Sequence, residues 1–336
     1  MKGFLQVLLT FSLSLTLILG WTSSVEAALL VASFDSGDVL SFDHTTGEFI
    51  RIFAQGLPGD APTSMTFGPD GNLYVGMGLG GSGAIRRYDG ATGQFIDTFV
   101  NDASLSLISS ITFGADKNLY VTDFGNDRVV RFNGNTGAFI DNFVPKGRGG
   151  LDGPEGLTFG PDGNLYVGSR ITNQVLRYNG SNGDFIDVFA TSAKNAPQEL
   201  VFGLGNNLYL AVDGAGGNGQ VLRFNGQNGT FIDTFAKNIP DTTDGMSLTF
   251  GPDNNLYVTS QFGNSVLRFN GKNGKFIDTF VSRGSGGLSY AQNLLFQKES
   301  VPKPVPKPVP KTRTTPSLIF LGALGITLAM KRFRVF

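Results

Sequence analysis

The sequence predicts an all-β fold, a six-bladed β-propeller whose blades are four-stranded antiparallel sheets, and three observations carry that expectation. The first is a repeat: a Phe-Ile pair begins at Phe49, Phe95, Phe139, Phe185, Phe231 and Phe276, at spacings of 46, 44, 46, 46 and 45 residues. The second is the content of each unit. Residues 157–159, 165–167, 174–178 and 185–189 are short apolar or alternating runs separated by Pro-Asp-Gly and Asn-Gly turns, which reads as four antiparallel strands. Units of this length with four strands are the mark of propeller blades. The third observation is an incomplete first unit, which lacks an innermost strand. Gln292-Asn293-Leu294-Leu295-Phe296 aligns with Glu199-Leu200-Val201-Phe202 and has no strands after it, so the last strand is expected to complete the first blade. Such a clasp removes the open edges that would template aggregation.

Composition agrees, with 47 Gly, 30 Phe and only 15 Pro, as many short strands joined by tight turns require. A formal charge of -1 gives no basic face for nucleic acid. The absence of cysteine removes disulfides and thiolate metal sites, and the single histidine, His44, removes multi-histidine ones.

In chain order, residues 1–27 read as a secretory signal peptide: Lys2, an apolar run to Gly20, and a small-residue site ending at Ala27. The propeller is expected over 28–297. Residues 298–316, with their tandem Val-Pro-Lys-Pro stretch, form an extended Pro-rich linker. Residues 317–336 combine a short apolar segment with the basic end Lys331-Arg332-Phe333-Arg334, the pattern of a C-terminal transmembrane anchor. This tail is similar to the PEP-CTERM sorting signal of Gram-negative bacteria, with Pro302-Lys303-Pro304 and its repeats, or Thr315-Pro316-Ser317, in place of the usual Pro-Glu-Pro. The resemblance implies processing by an exosortase-type enzyme and an exported, surface or extracellular location.

The inner strands are expected to start near Met65, Ile111, Leu157, Leu200, Leu248 and Leu294. Around Phe124-Gly125-Asn126-Asp127-Arg128-Val129 the unit resembles the NHL-type propeller repeat, and the similarity extends over residues 28–297. It implies the fold and leaves activity open, because this ring hosts unrelated functions. Five units carry an arginine in the third strand and an aspartate in the fourth: Arg87 and Asp97, Arg131 and Asp141, Arg177 and Asp187, Arg223 and Asp233, Arg268 and Asp278. The first unit has Ser41 and Arg51 instead. Joint presence and joint absence predict that the two side chains meet across the hairpin as structural pairs.

Residues that break the repeat are the candidates for function. Just before the expected inner strands stand Thr63-Ser64, Ser109-Ser110, Glu155-Gly156, Gln198-Glu199, Met246-Ser247 and Gln292-Asn293. Glu155 and Glu199, with Asp123, Asp213 and Asp244, form a candidate channel-mouth set for a ligand or metal, joined by Asn126, Arg170, Asn173 and Gln261. No cofactor is required, but oxygen ligands of this kind suit calcium or magnesium. The placement resembles the channel mouth of gluconolactonase or regucalcin-type propellers, which implies a cation there. His44, in a hairpin of the opposite face, is a poor general base for channel chemistry. The expected function is a non-catalytic binding module for protein or polysaccharide at the cell envelope. The alternatives are a structural spacer of the envelope or matrix and a divalent-metal-dependent hydrolase or lactonase.

Overall fold

The computed structural model describes residues 28–78, 83–193, 195–213, 218–242 and 246–297. The expected signal peptide, Pro-rich linker and C-terminal anchor all fall outside the described residues. Among those described, no helix is long and apolar enough to cross a membrane.

Six four-stranded antiparallel sheets make up the ring. Blade one combines Ala28–Ser33, Asp38–Asp43 and Phe49–Ala54 with the last strand, Ala291–Phe296. Blades two to five follow with innermost strands Pro62–Phe67, Ile108–Phe113, Pro154–Phe159 and Pro197–Phe202, and blade six begins at Leu248–Phe250. The closing register is Leu29 opposite Phe296, Leu30 opposite Leu295 and Val31 opposite Leu294. The clasp expected from the truncated first unit is therefore present.

The inner strands begin three residues earlier than the sequence suggested, at Pro62, Ile108, Pro154, Pro197 and Ala291. The reason is a bulge. In blade four Pro154 lies opposite Ser169 and Leu157 opposite Val167, so three steps on the inner strand face two on its partner. Blades three and five repeat this arrangement. A bulge inserts one residue and re-aims the side chains beside it.

The core lies between blades rather than on the axis. Each apolar cluster joins two neighbouring sheets; Tyr120, Phe143 and Val129 of blade three pack with Leu157, Leu165 and Leu176 of blade four. A tyrosine of the second strand is the hub. The Tyr120 ring meets Phe143 of its own blade edge-on at 4.9 Å and Phe159 of the next at 5.0 Å. Tyr74, Tyr166, Tyr209 and Tyr257 repeat the geometry. Edge-to-face pairs of this kind contribute beyond their buried area.

The arginine–aspartate pairs form in all five blades. Arg177 lies opposite Asp187 in the strand register and grips it with two N–H donors, Nε to Oδ1 at 3.1 Å and Nη2 to Oδ2 at 2.5 Å. The equivalents Arg87–Asp97, Arg131–Asp141, Arg223–Asp233 and Arg268–Asp278 show the same fork. Each guanidinium also covers the fourth-strand phenylalanine; Arg177 sits 5.1 Å from the Phe189 ring centre. In blade one Leu30 takes the tyrosine position, and Arg51 instead donates to the Thr92 carbonyl of the neighbouring blade at 2.8 Å. The aspartates are partly exposed, so solvent screens the pairs. Arg177→Ala is expected to cost about 1–2 kcal/mol, and a double-mutant cycle with Asp187→Ala to give a coupling of about 0.5–1 kcal/mol in urea unfolding. Zero coupling would remove the structural role assigned to the pairs.

Candidate functional site

Consecutive residues at or just before the start of the inner strands reach the channel wall, through a bulge in blades four and five. Glu155 and Gly156, Gln198 and Glu199, Met246 and Ser247, and Gln292 and Asn293 line one small cavity on the axis together with Thr63 and Ser109. It holds about 30 Å³, room for one or two waters rather than a sugar ring.

Glu199 stands at its floor. Its side chain leans across to blade four, into the space that a side chain at position 156 would fill: a Cβ on Gly156 would lie 2.7 Å from Glu199 Oε1. The Leu200 N–H donates to Oε1 at 3.1 Å, and the Ser110 hydroxyl approaches Oε2 at 3.5 Å. Burial pushes the Glu199 carboxyl up to about 7, the Glu155 charge adds to the rise, and the two hydrogen bonds offset only part of it. A carboxyl whose folded pKa exceeds its unfolded value of 4.5 costs the fold nothing below that value. It becomes an increasing penalty as pH climbs from 4.5 through about 7. Glu199→Gln is therefore expected to match the parent near pH 4 and to be more stable by about 2–3 kcal/mol at pH 8, measured as urea midpoints against pH. Equal midpoints at both pH values would contradict the placement of Glu199.

Glu155 is treated differently. Arg170, from the loop between strands two and three of blade four, donates to Glu155 Oε1 at 3.0 Å and to Asp213 Oδ2 at 3.3 Å. One guanidinium thus joins two carboxylates at the mouth, where a metal ion would otherwise be the neutralising charge. Asp123 does not line the cavity. It is fully buried at the end of the second strand of blade three, accepting from Arg128 Nε, Asn126 Nδ2 and the Ser106 N–H, each at 2.8 Å. Asp244 lies outside the described residues. Asn173 supports its own loop, its carbonyl accepting from the Ser192 N–H at 2.9 Å. Among the described residues no group of three or more His, Asp or Glu is placed to hold a metal ion.

Amides complete the mouth. Gln261, wholly buried, donates to Gln292 Oε1 at 2.5 Å. The buried Gln198 Nε2 has no partner among the described residues, so the cavity it lines offers a donor to a bound water or oxygen atom. His44 lies between strands Asp38–Asp43 and Phe49–Ala54 of blade one, a hairpin on the face opposite this mouth. No catalytic nucleophile with an adjacent base is assembled around the channel from the described side chains.

A second surface was not singled out by sequence reasoning. The Phe-Ile pairs that mark the repeat open the fourth, outermost strand of every blade, and all twelve side chains are between 37% and 58% exposed. Each Phe rests edge-on against an aromatic ring of the third strand, as Phe95 does on Tyr88 at 5.7 Å. The Ile beside it projects from the other face of the strand. The rim of the ring is thus an interrupted apolar belt along six open sheet edges.

Comparison with known proteins places the fold and little more. The family model of the strictosidine synthase-like N-terminal domain matches residues 144–170, which run from the end of blade three to Arg170. No curated protein is recognisably similar to the chain in sequence. Among solved structures, a chain of a nidogen/laminin complex superposes with a TM-score of 0.64 at 16% identity, covering 82% of this chain and 99% of that one. A protein of unknown function from Bacteroides caccae gives 0.61 at 12% identity, covering 82% and 100%. A functionally unknown protein from Desulfotomaculum acetoxidans DSM 771 gives 0.57 at 14% identity, covering 80% and 98%. At these identities the likeness is one of fold: this chain is a six-bladed β-propeller.

Proposed function

We propose that this protein is an exported, surface-associated propeller that binds a protein or polysaccharide partner at the cell envelope without catalysing a reaction. The observation that supports the reading most is the belt of exposed Phe-Ile pairs on the six outer strands. Exposed apolar side chains repeated along unpaired sheet edges are a liability unless a partner covers them. The water-sized mouth cavity and the tethering of Glu155 by Arg170 speak against turnover of a sugar or lactone there. The signal-like N-terminus and Pro-rich, basic-ended C-terminus support export and attachment, with an exosortase-type enzyme as the processing partner.

The test is retention of the purified protein on its own cell envelope and exopolysaccharide. Ile96→Lys, Ile140→Lys and Ile232→Lys together are expected to weaken retention at least about tenfold with the melting temperature kept. Equal retention by parent and variant would refute the rim as the binding surface, and no retention by either would favour the spacer reading. A metal-dependent hydrolase is the second reading, favoured by the raised Glu199 carboxyl beside Glu155. It requires that calcium or magnesium raise the melting midpoint, since a native-state ligand must do so.

A further inference from the structure

The axial channel continues past Glu199 into a second, larger cavity of about 290 Å³. The two cavities share Glu199, Ser247 and Asn293, so the ring of side chains at the second bulge position separates a water-sized mouth from a roomier vestibule. Two residues further along the inner strands, side chains return to the channel wall. Those positions carry Thr66, Thr112 and Thr249, with Val201 and Leu295 completing the wall.

We propose that this vestibule is a binding site for a neutral polyhydroxyl molecule of monosaccharide size, entering from the face opposite the Glu155 mouth. Its volume corresponds to about ten waters and lies near the lower end of small-ligand pockets. Three threonines line it, and their hydroxyls make no hydrogen bond to any described residue. Ser64 Oγ accepts the Ile111 N–H at 2.8 Å and Ser247 Oγ accepts from Asn293 Nδ2 at 3.1 Å, which leaves each serine proton to donate inward. Val201 and Leu295 offer apolar contact to ring C–H groups. Among the described residues Glu199 is the only ionisable side chain in the lining, so no other of them would pair with a charged ligand. Hydroxyls around a ring with a carbon face on two sides match a pyranose or cyclitol better than an anion or a flat apolar molecule. This site is distinct from the rim belt and stands whether or not the rim docks a partner.

The experiment is saturation-transfer NMR on the full protein with D-glucose, D-galactose, D-mannose and myo-inositol, each at about 10 mM, a concentration suited to millimolar affinity. The expected result is transfer to the ring protons of at least one probe. In the Thr66→Val, Thr112→Val, Thr249→Val variant the dissociation constant should rise about tenfold or more, with Lys272→Ala, in an exposed outer turn, leaving it unchanged. No transfer from any of the four probes overturns the proposal. So does transfer that survives the triple variant, because the sugar then binds elsewhere. Should the triple variant fail to fold, Thr112→Val alone is read in its place, with about threefold weakening expected and unchanged affinity overturning the site.

Discussion

A chain ending at Tyr290 is expected to yield no cooperatively folded protein. The lost segment, Ala291–Phe296, is the innermost strand of blade one, and it is paired to Ala28–Ser33 along Leu29, Leu30, Val31 and Ser33. Without it the first blade keeps three strands, and its Leu29, Leu30 and Val31, all fully buried in the closed ring, face water along an open edge. Leu294 and Ala291 leave the cluster shared by blades six and one, and Tyr257 loses the Phe296 ring that meets it at 4.9 Å. Burial of each large apolar side chain is worth about 1.5–3 kcal/mol. Several such losses, plus the four paired strand positions, are of the same order as the whole stability of a domain, about 5–15 kcal/mol. The truncated chain should appear as aggregate in size-exclusion chromatography and show no sigmoidal melt. A soluble monomer melting within a few degrees of the parent would mean that the ring does not depend on its closure.

Gly183→Ala is expected to cost about 3–5 kcal/mol, far more than an ordinary glycine substitution. Gly183 ends the turn between the third and fourth strands of blade four with φ at 72°, a backbone region that disfavours alanine. It also lies against the preceding blade, where an added Cβ would sit 1.8 Å from the Phe143 carbonyl oxygen. The backbone of the outer strand cannot retreat without separating the two sheets, so strain and lost packing add. The equivalent Gly47, Gly93, Gly137, Gly229 and Gly274 meet the same carbonyl of their own preceding blades. In a domain of this size the loss corresponds to a fall of roughly 6–20 °C in melting temperature. A fall under about 2 °C would show that the turn does not press on its neighbour.

These two sites also show why so much of the architecture is legible in the sequence. Blade number, turn positions, the arginine–aspartate forks and the ring closure are each stated by a residue type recurring at a fixed spacing, and the one irregular unit states how the ends join. A strand alternates its faces with a period of two, which places Gln198 and Glu199 on opposite sides of the sheet. The bulge brings both to the cavity, and nothing in Pro197-Gln198-Glu199-Leu200 marks it, because it follows from how the innermost strand curves at the channel mouth. Arg170 was legible as a rim residue, but its bridge between Glu155 and Asp213 joins two blades and depends on loop conformation. Asp123 looked like a mouth carboxylate by position. Its burial with Arg128 and Asn126 reflects a local clasp that the repeat spacing does not encode. The Phe-Ile pairs mark the repeat in the sequence, but their exposure follows from their place on the outermost strand, which has a strand neighbour on one side only.

The claim on which site and surface both rest is that residues 28–297 form a ring closed by its own last strand. The most direct test exploits a chain without cysteine. Ser33→Cys combined with Ala291→Cys places two thiols at facing positions of the closing pair, where Cα atoms of antiparallel neighbours lie about 4.5–5.5 Å apart, within disulfide range. Mild oxidation of the monomer should give an intramolecular crosslink between the peptides containing residues 33 and 291, found by mass spectrometry, with single-cysteine variants unlinked. Free thiols or only intermolecular dimers after oxidation would contradict the closed ring, and with it the channel and the rim.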